Sequence, residues 1–140
     1  MKKLLKQLQL EEDLDVGKLI NLNPNSNNFY LILLKLKTLI VQLSSAIMDL
    51  TYQIEQFELD YISNLRKEAS KTGFFEINGV KTKLTEAALN KMPYKYESEW
   101  QQLTMEVMSK RFEANIISAI VNILEKKYNA IFNRLNKDND

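Results

Sequence analysis

The 140-residue sequence contains no histidine and no cysteine, and only three glycines and two prolines. The absence of cysteine excludes a disulfide framework, a thiol nucleophile and a thiolate-bound metal. The absence of histidine excludes a Ser-His-Asp triad, an imidazole base and a facial iron site. Three scattered glycines do not supply a phosphate-cradling loop or a dinucleotide fingerprint. We therefore expect a binding or scaffolding protein, not an enzyme, with no metal and no cofactor.

Long uncharged apolar runs are also scarce. The most apolar stretch, residues 29–50, is interrupted by Lys35 and Lys37, and its longest uncharged run, residues 38–48, is too short to span a bilayer. The basic residues that follow Met1 precede no apolar core with a cleavage site, so a secretory signal is not expected. The sequence predicts one soluble, cytoplasmic domain over residues 1–140, without a membrane partner.

Apolar residues from 29 to 61 recur at alternating spacings of four and three, over more than four heptads. This pattern predicts a long helix over residues 26–71, with Ser26 or Asn27 as its N-cap. The flanking positions are partly apolar and carry few opposite charges, so the helix is expected to pack against more than one neighbour. Its core and oligomer stripe consists of Leu33, Leu36, Ile40, Leu43, Ile47, Leu50, Ile54, Phe57 and Tyr61.

The periodicity changes after Gly73. Residues 74–84 roughly alternate apolar and polar around Asn78-Gly79, which predicts a β-hairpin with a type I′ turn. Thr85 is expected to cap a short helix over residues 86–92, which Pro93 stops.

A second long helix is predicted over residues 96–135. Its apolar stripe is Trp100, Leu103, Val107 or Met108, Phe112, Ile116, Ile120, Ile123 or Leu124, Tyr128, Ile131 and Leu135. The fold class is therefore mainly α: two long amphipathic helices joined by a β-hairpin and a short helix, after an amino-terminal segment of residues 1–25. Two helices alone leave much of the first apolar stripe exposed, so we expect a homo-oligomeric helical assembly.

Charge is unevenly distributed although the formal net charge is only +1. Residues 65–96 contain seven basic residues against three glutamates, with aromatic residues in and beside them. Single-stranded nucleic acid is bound by this combination, because cations contact phosphates while aromatic faces stack on unpaired bases. Alternatively, the lysines solvate a connecting region and the aromatic residues fill the core. The candidate nucleic-acid-binding residues are Arg66, Lys67, Lys71, Lys81, Lys83, Lys91, Lys95, Phe74, Tyr94 and Tyr96.

The first long helix ends in Leu59-Asp60-Tyr61-Ile62-Ser63, followed by basic residues and a turn. This segment resembles the Leu-Asp-Tyr-Tyr-Ser segment of phage recombination-mediator proteins of the UvsY type, which have a similar length and order of elements. The resemblance implies a helical oligomer that binds single-stranded DNA and helps a RecA-like recombinase to displace a single-strand-binding protein. A phage-encoded chain would act in the host cytoplasm. The family's basic residues before the motif correspond here to Gln56 and Glu58, and the basic residues of this chain lie downstream instead.

Two other classes of protein share parts of this layout. Prefoldin-type chaperone subunits also place a hairpin between two long coiled-coil helices, and they would hold unfolded clients at exposed apolar helix tips. The short helix before Pro93 and the basic and aromatic residues around it fit that class less well. The third class is a phage or cellular structural adaptor whose long helices build an assembly.

Overall fold

The computed structural model describes Leu5 and residues 15–138, with side chains described as far as residue 134. The described residues are mainly helical. The predicted fold class, two long helices with a two-stranded hairpin and short helices, is confirmed. Most of the predicted amino-terminal segment, residues 1–25, lies outside the described residues. In chain order the elements are α1 (Val16–Ile20), α2 (Phe29–Thr72), β1 (Phe74–Ile77), β2 (Val80–Lys83), α3 (Glu86–Asn90), a 3₁₀-helix (Pro93–Tyr96) and α4 (Ser98–Asp138).

The chain divides into two compact units. The first consists of Met1–Ser45 and Lys110–Asp140, and the second of Ala46–Ser109, so each boundary falls inside a long helix. The core of the first unit joins α1 with the first part of α2 and the last part of α4, because each of these segments presents an apolar face. Its buried residues are Leu5, Leu19, Phe29, Ile32, Leu33, Leu36, Leu39, Leu43, Ile117, Ile120, Val121 and Leu124.

The start of α2 differs from the prediction. The helix begins at Phe29. The residue directly before it is therefore Asn28, and neither Ser26 nor Asn27, the two predicted N-caps, occupies that position. The N–H of Phe29 donates to the carbonyl of Ser26 at 3.2 Å, which makes residues 26–29 a separate turn. The first helical bond runs from the N–H of Ile32 to the carbonyl of Asn28 at 2.9 Å.

The hairpin of the second unit forms where the sequence predicts it. Asn78 and Gly79 both have positive φ, 50° and 80°, as a type I′ turn requires. The two strands pair antiparallel, with Ile77 opposite Val80 at the turn. At the base, the N–H of Leu84 donates to the carbonyl of Gly73 at 3.0 Å, which ties the hairpin to the end of α2.

The two faces of the hairpin have different environments, because successive strand residues point to opposite sides. Phe75 is only 1% exposed and belongs to a cluster with Leu65, Ala69, Ala88 and Leu89. This cluster packs the inner face against α2 and α3 and forms the core of the second unit. The other face, here called the outer face, carries Phe74, Glu76, Lys81 and Lys83, all exposed.

Local signals also determine the connection to α4. The Thr85 hydroxyl accepts a hydrogen bond from the Ala88 N–H at 3.0 Å, which confirms the predicted cap of α3. The helix ends at Asn90, two residues before the predicted end, because Met92 adopts a left-handed conformation with φ 57°. Pro93 then opens the 3₁₀-helix, so α4 begins at Ser98 and not at residue 96.

The buried stripe of α4 departs from the predicted one in the first unit. Phe112 was predicted to lie on the stripe and is 65% exposed, whereas Ile117 is fully buried. On a helix of 3.6 residues per turn, each four-residue step advances the stripe by about 40°. Two such steps separate Phe112 from the buried Ile120, so Phe112 lies about 80° away from the buried face. The sequence offered Ile123 or Leu124 for one position of the stripe, and Leu124 is the buried one.

The apolar character of α2 also has a bearing on membranes. The helix contains an 18-residue window of mean hydropathy 1.7, so by length and composition it could cross a bilayer. Within the structure 28% of that window is buried. The core helix of a soluble protein can have the same length and composition, so these two properties do not distinguish it from a membrane-spanning helix. The absence of a membrane partner therefore stays a prediction.

Candidate nucleic-acid interface

The second unit holds all seven basic candidate residues, and every one of them is exposed. They fall into three groups according to the element that carries them. Arg66, Lys67 and Lys71 lie on the last turns of α2, Lys81 and Lys83 on β2, and Lys91 and Lys95 around the 3₁₀-helix.

The outer face of the hairpin combines cations with an aromatic ring. Lys81 Nζ lies 4.7 Å from the centroid of the Phe74 ring, and Lys83 is the cross-strand partner of Phe74. Glu76 stands directly opposite Lys81 and offsets part of its charge. Phe74 is 39% exposed, so its ring remains partly accessible. This face therefore offers two ammonium groups and one ring to a ligand.

A second cationic and aromatic group lies near the turn of the hairpin. Lys91, Lys95 and Tyr96 together line a cavity, to which the hairpin contributes Ile77 and Val80. Lys95 Nζ is 5.2 Å from the centroid of the Tyr96 ring. Lys91, Lys95 and Tyr96 thus line one cavity, whereas the sequence alone showed only that they belong to the same segment.

The basic residues on α2 have different surroundings. Arg66 pairs with Glu86 at 3.3 Å, and both side chains are exposed, so the pair contributes little, at about 0–1 kcal/mol. Because the pair is weak, Glu86 does not hold the Arg66 guanidinium firmly in this position. Arg66 and Lys67 also line an open groove of about 450 Å³, together with Ser63 and Ser70.

Tyr94 does not line the cavity of Lys91, Lys95 and Tyr96. It lines another cavity, which it shares with Arg66 and with the carboxylates of Glu58 and Glu86. Its ring lies edge-on to Tyr61 at 6.4 Å between centroids and is tilted against Trp100 at 5.6 Å. Burial raises the pKa of Tyr94, and the nearby Glu58 carboxylate raises it further. Tyr94 therefore packs within an aromatic cluster of the second unit, and its role in DNA binding stays a prediction.

The same cluster contains a polar contact that the sequence does not reveal. Trp100 Nε1 donates to Glu58 Oε1 at 3.0 Å, across 42 residues of sequence. Burial raises the pKa of Tyr61, and Glu97 raises it further through its charge and a hydrogen bond. Glu58, at one of the two positions where the mediator family has basic residues, thus accepts a hydrogen bond from Trp100.

The predicted core and oligomer stripe is only partly buried. In the first unit Leu33, Leu36 and Leu43 are buried and Ile40 is half-buried. In the second unit Leu50 is buried, and the remaining members, Ile47, Ile54, Phe57 and Tyr61, are half-buried.

Large apolar residues are exposed on other faces of the same helices. In the second unit they are Met48 at 72%, Tyr52 at 62%, Leu59 at 64%, Met105 at 69% and Met108 at 67%. We call these five residues the apolar set of the second unit. Met48 and Tyr52 are four residues apart and Met105 and Met108 are three apart, so the members of each pair lie on one face of their helix.

No family model, curated protein or solved structure matches the chain. The likeness to the mediator family therefore rests on the Leu59-Asp60-Tyr61 segment and the order of elements. Within that segment Leu59 and Asp60 are exposed and Tyr61 is half-buried. Among the described residues, no group of three or more acidic side chains could hold a metal ion. Of the acidic residues near the amino terminus, Glu11, Glu12 and Asp13 lie outside that part of the chain, whereas Asp15 lies within it.

Proposed function

We propose that this protein is a non-enzymatic single-stranded-DNA-binding protein that acts as a recombination mediator. The observation that carries the proposal is the exposure of seven cations in one compact unit, with the exposed rings of Phe74 and Tyr96 among them. Cations on phosphates supply sequence-independent affinity, and aromatic faces select unpaired bases over a duplex.

Four acidic residues in the first part of the same unit restrict where a strand can run. Asp49, Glu55, Glu58 and Asp60 all lie on α2 before the basic residues begin at Arg66. Their charges repel a phosphate backbone at short range. We therefore place the strand along the end of α2, the hairpin and the 3₁₀-helix.

The mediator role itself comes from the resemblance. On that basis the partners are a RecA-like recombinase and a single-strand-binding protein, and the chain works as a homo-oligomer in the cytoplasm, that of the host if it is phage-encoded. Oligomerisation supports DNA binding physically, because several weak sites held together bind one strand with a high effective concentration.

Fluorescence anisotropy with a labelled oligonucleotide across a salt series tests DNA binding. Removing one cation that neutralises a phosphate is expected to reduce the log–log salt slope by about 0.7 on single strands. The double variant Lys81→Gln, Lys83→Gln should therefore shallow the slope by about 1.4. The matched control is Lys126→Gln with Arg134→Gln, which removes two exposed charges from the first unit and should leave the slope unchanged. Absence of binding by the wild type at low salt would overturn the proposal.

Sedimentation tests self-association through the apolar set of the second unit. Met48→Glu and Tyr52→Glu place charge on side chains that are 72% and 62% exposed, so the fold should persist while the assembly dissociates. Charge at the half-buried Ile47 or Ile54 should disturb the fold as well as the assembly. A wild-type chain that sediments as a monomer would refute the oligomer.

A prefoldin-like chaperone is the second candidate, and the apolar set of the second unit favours it. In that role Met105 and Met108 would contact unfolded clients, since flexible methionine side chains adapt to varied surfaces. Suppression of client aggregation that is abolished in Met105→Glu, Met108→Glu, together with no affinity for oligonucleotides, would favour the chaperone.

A further inference from the structure

A cavity of about 260 Å³ lies beside the turn of the hairpin in the second unit. We propose that this hairpin pocket binds one unpaired base of single-stranded DNA, while the adjoining phosphates contact two lysines at its rim. The inference rests on the function proposed above and deepens it, because it separates base recognition from phosphate binding. The residues that carry it are Ile77, Val80, Pro93, Lys91, Lys95 and Tyr96.

The size and walls of the pocket suit a single pyrimidine ring. An apolar cavity of about 150 Å³ is enough to hold benzene, so 260 Å³ accommodates a six-membered ring and its polar edge. Pro93 is fully buried, and Ala88 beside it is 8% exposed, which gives the ring a rigid apolar floor. Asn78 also lines the pocket, and its side chain carries both a donor and an acceptor.

The rim supplies charge and a stacking surface. Lys91 and Lys95 are exposed, and Lys95 Nζ lies 5.2 Å from the centroid of the Tyr96 ring. Tyr96 keeps 49% of its surface accessible, so part of the ring remains available to a base. A base that enters the pocket therefore meets an aromatic ring, and its phosphates meet cations that are already next to that ring.

The backbone places these groups through an unusual turn. Met92 has φ 57°, a left-handed conformation that non-glycine residues adopt rarely. It lies between Lys91 and Pro93, so the left-handed turn sets the positions of the rim and the floor together. Such conformations persist where the surrounding structure holds them, and they are concentrated at ligand sites.

Oligonucleotides with and without bases test the pocket. The full-length protein is titrated with a labelled oligothymidylate and with an abasic oligomer of equal length, which carries the same phosphates. We expect tighter binding of the oligothymidylate with equal salt slopes. Tyr96→Ala should weaken that binding by roughly five- to 150-fold, the range for removal of one base–aromatic stack, without affecting the abasic oligomer. Tyr96→Leu should show the same weakening and Tyr96→Phe should restore binding.

The control is Tyr30→Ala, which removes another exposed tyrosine, 64% accessible and in the first unit, and should change neither affinity. Equal wild-type affinity for the two oligomers would overturn the pocket and leave the proposed function intact. Equal weakening of both oligomers by Tyr96→Ala would likewise overturn the pocket. No salt-dependent binding of either oligomer would overturn the pocket and the proposed function together.

Discussion

The adjacent residues Phe74 and Phe75 provide a paired test of the hairpin, because they lie on opposite faces of β1. Phe75 is 1% exposed in the core of the second unit, whereas Phe74 is 39% exposed on the outer face. Truncating a buried phenylalanine removes its transfer free energy and leaves a cavity, so Phe75→Ala should lower the free energy of unfolding by about 3–5 kcal/mol. Phe74→Ala removes a ring that is 39% exposed and its cation–π interaction with Lys81, which together amount to about 2 kcal/mol.

Urea denaturation followed by far-UV circular dichroism measures both free energies of unfolding. In DNA binding the order of the two variants should be reversed: Phe74→Ala should have the larger effect and Phe75→Ala the smaller one. Phe74→Ala should weaken binding of single strands and cause the smaller loss of stability, while Phe75→Ala should act through stability alone. Equal decreases in stability in the two variants would show that the faces of the hairpin are wrongly assigned.

Three further changes test local features of the second unit. Gly79→Ala should cost about 1–2 kcal/mol in urea denaturation, because φ is +80° and the added Cβ meets no atom within 4 Å, so any destabilisation comes from the backbone alone. Thr85→Ala removes the bond to the Ala88 N–H and should cost about 1 kcal/mol, with Thr85→Ser retaining most of the stability. Folding raises the pKa of Tyr61 above its ordinary value of 10.0, so its contribution to stability is complete below about pH 10 and is lost as pH rises through the folded-state pKa. Glu97→Gln should move ionisation of Tyr61 to lower pH in an ultraviolet titration, and an unchanged titration would contradict the assigned contact.

Features that depend on neighbouring residues in the chain were predictable from the sequence. The hairpin forms at Asn78-Gly79 because both residues tolerate positive φ, and α3 starts after Thr85 because its hydroxyl reaches the third N–H ahead. Each of these signals acts within four residues, so no tertiary information is needed. The recurrence of apolar residues at spacings of three and four predicted both long helices.

Features that depend on residues far apart in sequence were not predictable. Composition alone gave Tyr94 and Tyr96 the same role, and only packing separates them, because Tyr94 contacts Tyr61 and Trp100. The bond from Trp100 to Glu58 has no sequence signal, since a glutamate on a helix usually faces water. The hairpin pocket depends on the left-handed turn at Met92. Methionine rarely adopts a positive φ, so the sequence does not predict this turn.

The hairpin has one more consequence, for solubility. Within the described residues it forms a sheet of two strands, so the outer edge of each strand has no partner strand. Open edges invite pairing with other chains, and charged side chains, lysine above all, discourage it. Lys81 and Lys83 therefore protect β2 from edge-to-edge aggregation whether or not DNA is present. A variant that replaced both with apolar residues would leave an uncharged strand of four residues, Val80–Lys83 in the native chain, open to a second hairpin.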